Sequence, residues 1–399
     1  MKEILGAGAT AAQVGKMGGY ATTWMMLGWA TGGIIFGMMS DRLGRVKTMV
    51  ATLLVYSGFT GLCGTAQSVP AFLTYRFLVG LGIGGMFGAA TTLVAESVPV
   101  RVRAVALGSL QALSSCGNII GSLLSTVIHP GGADVMFGLS GWRVMFFVGI
   151  LPAILVVPMV VFLREPEQWK AAKRRAKASS DPAVQIGSIL VMFQHPTWRR
   201  NLLVGVGLGL AGMAGLWGIG FFSPELISTA LKGEPQHVVD TVRGWATAFQ
   251  DVGSFFGILA FTAVATLMGR RLAFLIAFLL CLGVTVFVFN NLRTGSDAYW
   301  MLPLMGFAQL SLFGGYAIYF PELFPTRLRG TGVGFCYNTV RYLAAGFPPL
   351  LMALNAYLLH SGAKEPFRLA ATILSGIFVL GLVTLIWAPE TKGQPLPED

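Results

Sequence analysis

Glu96-Ser-Val-Pro99-Val-Arg101-Val-Arg103-Ala104 returns 226 residues later as Glu322-Leu-Phe-Pro325-Thr-Arg327-Leu-Arg329-Gly330, with the Glu, the Pro and both Arg at the same spacing. Each copy follows one long apolar stretch and precedes another. Working outward, Gly44-Arg45 returns as Gly269-Arg270 and Arg143 returns as Arg368, both at an offset of 225. Three separate loops that share one offset describe a chain built from two homologous halves.

The material between these loops is apolar. Of 399 residues, 54% are hydrophobic and 11% are charged, whereas soluble chains carry about 25% charged residues. Too little charge is left to cover a water-facing surface, which excludes a soluble, a disordered or a collagen-like chain. Apolar runs of about 20 residues bounded by charge, Pro or Gly have the length that crosses a bilayer as a helix. Eleven such runs occur, at 18–39, 48–66, 71–94, 104–128, 142–163, 200–222, 244–268, 272–290, 299–320, 331–359 and 367–388. The expected fold class is all-α membrane protein with two pseudo-symmetric helical bundles. Matching loops lie on the same membrane side, so the bundles are parallel repeats about an axis along the membrane normal. The expected organisation is an N-terminal bundle over 1–163, a basic linker over 164–199 and a C-terminal bundle over 200–399. At the same offset, the run at 200–222 maps to positions before Met1. Five spans then stand against six, and the expectation is that the first helix of the first bundle is missing; a genuine eleven-span protein in another register is the alternative.

Charge alternates from loop to loop. Arg42, Arg45 and Lys47, then Arg101 and Arg103, then Arg164, Lys170, Lys173, Arg174, Arg175, Lys177, Arg199 and Arg200 lie on one side, with Arg270, Arg271, Arg327, Arg329 and Lys392. The opposite loops beyond the first span hold only Lys232, Arg243, Arg293 and Lys364. The positive-inside rule places loops 40–47, 95–103, 164–199, 269–271 and 321–330, and the C-terminus, in the cytoplasm of a multi-pass protein of the cell inner membrane. Orientation thereby accounts for most of the net charge of +11. Basic residues spread over five loops and a tail, without interleaved aromatics, do not form a nucleic-acid face. The run Lys173-Arg174-Arg175-Ala-Lys177 reads as a solvated loop, with anionic lipid headgroups as the alternative contact.

Catalytic and metal signatures are missing. Cys63, Cys116, Cys281 and Cys336 fall in apolar runs with no CxxC or Cys/His spacing, and read as small buried hydrophobes. The sequence holds no His-Glu-x-x-His, no Ser/His pair and no His/Asp metal spacing. Neither an enzyme nor a metal or cofactor site is expected. Three of the four His lie in the outer loops and His195 in the linker, so none sits in the membrane as a proton relay.

Gly37-Met-Met-Ser-Asp41-Arg42-Leu-Gly44-Arg45-Val46-Lys47 resembles the signature between the second and third helices of the major facilitator superfamily, with Val46 where a basic residue is usual. Tyr75-Arg76-Phe-Leu-Val-Gly80-Leu-Gly82-Ile-Gly84 is similar to the pattern of its fourth helix. The Glu-x-x-Pro-x-Arg-x-Arg pair, Arg164-Glu165-Pro166-Glu167 and Pro389-Glu390-Thr391-Lys392-Gly393 resemble its sugar and metabolite proton-symporter branch. No proline stands near Gly117-Asn118-Ile-Ile-Gly121, unlike the fifth-helix motif of drug/proton antiporters. The resemblance covers essentially the whole chain. It implies a secondary transporter that works by alternating access, as a monomer in the lipid bilayer, on a small-molecule substrate.

Within that frame, Asp41, Glu96 and Glu322 stand at helix ends beside Arg. Carboxylates and guanidiniums form short, bidentate, charge-assisted pairs. Gly37, Asp41, Arg42, Gly44, Arg45, Glu96, Arg103, Glu322 and Arg329 are therefore expected to form a cytoplasmic gate. The loop Met268-Gly269-Arg270-Arg271 has no acidic partner of its own, so a weaker contact is expected there.

Charges inside the hydrocarbon cost about 2.5–3.5 kcal/mol each on insertion scales and are retained for function. Arg341 lies on one helix with Tyr337 and Asn338 on neighbouring turns; Asp251, preceded by Gln250, and Arg76 each lie about two turns inside an outer helix end. These six are the candidate substrate-binding and coupling residues. Arg341 suits an anionic substrate such as an organic acid or acid sugar, and Asp251 suits proton carriage. Trp217, Gln309, Asn118 and Gln111 are further candidates for the cavity wall, with packing as their alternative role. The expected function is a secondary active transporter of an organic acid, acid sugar or sugar by proton-coupled symport. A proton-independent facilitator or exchanger, or a non-transporting truncated remnant, remains open at this point.

Overall fold

The protein was analysed as a computed structural model, which describes residues 2–6, 8, 10–128, 135–136, 138–178 and 185–398. Linker positions 179–184 lie outside the described residues. After a four-residue turn at Lys2–Leu5, the first half holds α1 (Ala11–Leu43), α2 (Arg45–Thr65), α3 (Val69–Ser97), α4 (Val100–Ile128) and α5 (Gly141–Phe162). The linker holds α6 (Glu167–Ala178) and α7 (Ile189–Gln194). The second half holds α8 (Pro196–Ala230), α9 (Gln236–Met268), α10 (Arg270–Asn291), α11 (Gly295–Glu322), α12 (Arg329–His360) and α13 (Pro366–Thr384). A two-stranded hairpin pairing Val135–Met136 with Leu139–Ser140 precedes α5.

Ten of these helices are long and apolar enough to cross a membrane. The eleventh expected span, α1, is 33 residues long, ample at about 1.5 Å per residue, but its Gly and Thr dilute its hydropathy. Several helices begin earlier than the apolar runs: α2 at Arg45 instead of 48, α4 at Val100 instead of 104 and α9 at Gln236 instead of 244. Their first turns are polar, so a search for apolar residues clips them. Thr10 caps α1 in a capping box with Gln13, and Thr294 caps α11 with Asp297 in the same way. Prolines and glycines interrupt other spans. Pro152 sits in the 3₁₀ segment Leu151–Leu155 of α5, Pro224 follows the break at Gly220–Phe222 in α8, and α12 changes course at Ala345-Gly346.

The repeat extends to helix crossings. A Cβ on Gly28 or Gly32 of α1 would lie 2.0 Å from the carbonyl oxygens of Phe77 and Leu81 in α3. A Cβ on Gly253 or Gly257 of α9, 225 residues on, would lie 2.1 Å from those of Pro303 and Phe307 in α11. Small residues let two membrane helices meet backbone to backbone. The third repeated loop matches as well: Arg143 donates to Gly64 O at 2.6 Å and Arg368 to Phe289 O at 2.6 Å.

The second half carries most of the core. Phe274, Tyr316, Tyr319 and Phe320 are buried among α10, α11 and their neighbours, and Tyr316 donates to Leu208 O at 2.7 Å. In contrast α5 presents Val157, Val160, Val161 and Phe162 outward, as a helix bathed in lipid does. The four cysteines are free, with Cys63, Cys281 and Cys336 buried.

Candidate functional site

The basic loops form one connected face, built twice. Glycine alone joins α1 to α2 and α9 to α10: Gly44 has φ 127° and Gly269 φ 108°, a region that side chains with a Cβ avoid. Each turn places an Arg in the first turn of the next helix. Arg45 donates from Nε and Nη2 to Glu96 Oε2 and Oε1 at 3.0 and 2.9 Å, and from Nη1 to Ser40 O at 2.9 Å. Arg270 donates to Glu322 Oε2 and Oε1 at 3.0 and 2.8 Å, and to Ala265 O at 3.0 Å. The loop at Arg270 is expected from sequence to make a weaker gate contact than Asp41 for want of an acid of its own; the acid Arg270 does pair with lies within its own half. Its carboxylate comes from the end of α11, which reading the loop alone does not reach.

A second acid caps each helix start. Glu165 accepts from the backbone N–H groups of Arg45 and Val46 at 2.7 and 3.0 Å, and Glu390 from those of Arg270 and Arg271 at 2.9 and 3.0 Å. Negative charge at a helix N-terminus is favoured by its free N–H groups and dipole. Burial pushes the Glu390 carboxyl upward, but these amides, with those of Lys392 and Thr391, outweigh it and hold the group below the ordinary glutamate range.

The two halves then differ in how they reach across to each other. Asp41, fully buried, accepts from Gly330 N at 2.9 Å, Thr331 N at 2.8 Å and Thr331 Oγ1 at 2.6 Å, so an acid at the end of α1 caps α12. Arg329 donates to Glu96 Oε1 at 2.5 Å, and Arg45 donates to Thr326 O at 2.7 Å. Alongside, α1 and α12 touch through glycine: a Cβ on Gly37 would lie 2.7 Å from Gly330 O, and one on Gly334 2.3 Å from Gly33 O. Arg103, the counterpart of Arg329, is buried and donates from Nε to Ala95 O at 3.2 Å. No ion pair joins Arg103 to Glu322 among the described residues, and Thr391 Oγ1 donates to Glu322 instead at 2.6 Å.

Arg42 stands apart from this network. It points away from the acids and donates to Ile186 O and Gly187 O at 3.3 Å, tying α1 to the linker. Gly187 N in turn donates to Arg327 O at 2.9 Å. Trp169 of α6 donates to Asp41 O at 2.6 Å and lies under both Arg45 and Lys173.

On the opposite side of these contacts lies a cavity of about 470 Å³, within the range of about 300–1,000 Å³ for ligand pockets. Met26, Leu27 and Ala30 of α1, Trp217, Phe221 and Glu225 of α8, and Arg341 and Tyr342 of α12 line it, with Pro348 and Pro349. Arg341 is only 3% exposed, and its Nε and Nη1 have no hydrogen-bond partner among the described residues. Its guanidinium lies 4.0 Å from the Trp29 ring centroid and 5.0 Å from that of Tyr337. Aromatic faces hold a cation in place while leaving its N–H groups for an acceptor.

The other expected binding residues are distributed. Asn338 is buried one turn away, donating to Gly334 O at 2.9 Å with its Oδ1 unpartnered. Tyr337 stacks on Phe87 at 3.8 Å. Gln250 accepts from Ser223 at 3.1 Å, and half-buried Asp251 lies beside it on α9. Arg76 packs over Phe146 at 5.8 Å, inside the first half. None of these five lines the Arg341 cavity directly. Of the further candidates, Trp217 lines it; Gln309 donates to Thr285 at 3.0 Å, Gln111 to Ser114 at 3.3 Å, and Asn118 is exposed on α4. Sequence reading missed Glu225, Arg270, Glu165 and Glu390 as site residues. The repeat carried a signal for three of them, since Arg270 is Arg45 and Glu390 is Glu165 at the offset of 225.

The family model described as Major Facilitator Superfamily matches residues 1–349. The cis,cis-muconate transport protein of Acinetobacter baylyi is 29% identical, covering 94% of this chain and 86% of that protein. The sialic acid transporter of Escherichia coli is 28% identical, over 82% of this chain and 75% of that one. Among solved structures, the proton:xylose symporter XylE superposes with a TM-score of 0.76 at 18% identity, covering 98% of this chain and 90% of the other. The long apolar helices, the twice-built basic face and these likenesses agree: the chain belongs to the Major Facilitator Superfamily and is a multi-pass membrane transporter of small metabolites.

Proposed function

We propose that this protein carries a small organic anion across the inner membrane by alternating access, coupled to protons. The observation that carries the reading is Arg341, a buried cation with two unpartnered N–H-bearing nitrogens at the wall of a cavity on one side, while buried ion pairs join the halves on the other. A buried charge without a counter-ion is costly, and a substrate carboxylate supplies one. Two parallel bundles meeting along α1 and α12 are arranged to rock about that contact. When the Asp41 and Glu96 contacts release, the cavity gains access to the other face. Asp41, Arg45, Glu96, Arg103, Arg270, Glu322 and Arg329, with the turn glycine Gly44 and the contact glycine Gly37, form the gate in this reading; Arg42 anchors the linker beside it.

The basic loops and the C-terminus are assigned to the cytoplasm by their charge, and the bundles to 1–163 and 200–399 with 164–199 between them. The protein acts as a monomer. Asp251 serves as the proton carrier, because a carboxylic acid inside a membrane helix lacks bulk water, and no ion pair among the described residues holds its charge. Uptake of a labelled organic acid into proteoliposomes tests the coupling. Uphill accumulation under an imposed pH gradient, abolished by a protonophore and by Asp251→Asn, is expected. Accumulation to equilibrium only, indifferent to the gradient, leaves a proton-independent facilitator in its place.

A further inference from the structure

The chemistry of the cavity wall narrows the anion further. We infer that the Arg341 cavity selects a monocarboxylate with a flat, apolar body, and that Glu225 is the residue that rejects a second negative charge. This rests on the transport reading above for the cavity being the substrate site.

Hydroxyl-rich solutes need many donors and acceptors, and a site that leaves them unpaired rejects them. Here the hydroxyl hydrogens on the wall are committed, which leaves few donors for a polyol. Thr22 and Thr23 donate back to Gly18 O and Gly19 O at 3.1 and 3.0 Å, and the Tyr342 hydroxyl is engaged by Thr31 Oγ1 at 2.6 Å. The polar groups left without a partner among the described residues are Arg341 Nε and Nη1 and the Trp217 indole N–H, all buried in residues that line the wall. A carboxylate that accepts from a guanidinium N–H makes a short, charge-assisted hydrogen bond. The rest of the wall is Met26, Leu27, Phe221, Phe222 and two prolines, surfaces that reward apolar area and ring faces.

Glu225 supplies the opposite sign. It follows the break in α8 and lines the same cavity as Arg341. Its nearest cation, Arg243, stands 4.0 Å away with both side chains part-exposed, and also faces Asp240 at 3.9 Å. Such a contact is weak, and Glu225 keeps negative potential over its part of the cavity. A carboxylate at Arg341 is attracted; a second one elsewhere on the substrate meets a like charge.

Binding to the purified full chain, read by quenching of tryptophan fluorescence, tests this without requiring transport. The probes are benzoate, terephthalate (the same ring with a second carboxylate) and glucuronate (a carboxylate on a polyol). Benzoate is expected to bind at least tenfold more tightly than either. Glu225→Gln is expected to raise terephthalate affinity about tenfold relative to that of benzoate; Arg341→Gln and Arg341→Lys are expected to weaken benzoate tenfold or more. Terephthalate or glucuronate binding as tightly as benzoate, no benzoate binding at all, or a Glu225→Gln protein with unchanged preference would each overturn the inference. Selective benzoate binding without gradient-driven uptake would sustain it while removing proton-coupled transport; gradient-driven uptake of glucuronate in preference to benzoate would do the reverse.

Discussion

The two copies of the basic face share a frame and differ in their reach. Within each half, an Arg in the first turn of a helix grips a Glu at the end of the next helix, donates to a carbonyl five residues back, and its helix start is capped by a further Glu, with matched distances differing by no more than about 0.2 Å. Across the halves the helix packing is still paired, α1 on α12 and α9 on α4, but the polar contacts differ. Asp41 caps α12, whereas the residue 225 positions on is Thr266, which donates to Thr262 O within its own helix. Arg329 takes Glu96 from the other half, whereas Arg103 takes a carbonyl in its own. The frames within each half are thus duplicated, while the buried charged contacts between the halves run through Asp41, Arg45, Glu96 and Arg329. In the gate proposed above, these few contacts release without dismantling either frame.

Breaking the shared acid sharpens this difference most. Glu96→Gln leaves Arg329 without its ion pair and Arg45 with only Asp41, at 3.3 Å, and is expected to destabilise the protein by about 3–5 kcal/mol, the usual cost of an uncompensated buried charge. Glu322→Gln strands Arg270 alone, so thermal unfolding in detergent should show the smaller loss. If the two match, the cross-half role of Glu96 is wrong. Next in size, Asp41→Asn weakens three buried hydrogen bonds to Gly330 and Thr331 and should cost about 1–3 kcal/mol, seen as increased labelling of buried Ser40→Cys by a thiol reagent added from the basic face. Labelling no faster than in the parent would remove Asp41 as a latch.

The turn glycines compare the frames themselves. Alanine at either position forces a left-handed backbone at about 1–2 kcal/mol. The added Cβ would also lie 2.3 Å from Glu165 Oε1 at Gly44, against 2.7 Å from Glu390 Oε2 at Gly269. Gly44→Ala should therefore lower the melting temperature more than Gly269→Ala; the reverse order would mean that crowding of the cap does not matter. The smallest effect is in pH. Because Glu390 is held below the ordinary glutamate range, its contribution is complete above the unfolded-state value and is lost as pH falls through the folded value. A Glu390→Gln protein should lose less stability than the parent between neutral and acidic pH, and parallel melting curves across that range would exclude the linkage.

Much of this was legible in the chain because a repeat is a statement about three dimensions. Offsets of 225 and 226 brought the two Arg/Glu frames and the paired loops into view, and low charge content singled out Arg341. Other features depended on distance in space. Arg270 and Glu322 are 52 residues apart, and nothing in the Gly269-Arg270-Arg271 loop signals that pairing except its first-half counterpart. Neighbours on a helix point about 100° apart, given 3.6 residues per turn, so Asp41 turns inward while Arg42 reaches the linker. For the same reason Gln250 meets Ser223 while Asp251 does not. Glu225 sits just beyond an apolar run, where sequence reads only a loop; the break at Gly220–Phe222 is what carries it to the cavity.

The most direct measurement is the separation of the halves on the basic face. Spin labels at Lys47→Cys and Arg199→Cys, both exposed, with Cys116 replaced by Ser, report that distance by pulsed electron spin resonance in lipid. The protein should give one short, narrow population, and Asp41→Asn should add a longer one. An unchanged distribution in a folded Asp41→Asn protein would contradict a closure held by contacts between the halves.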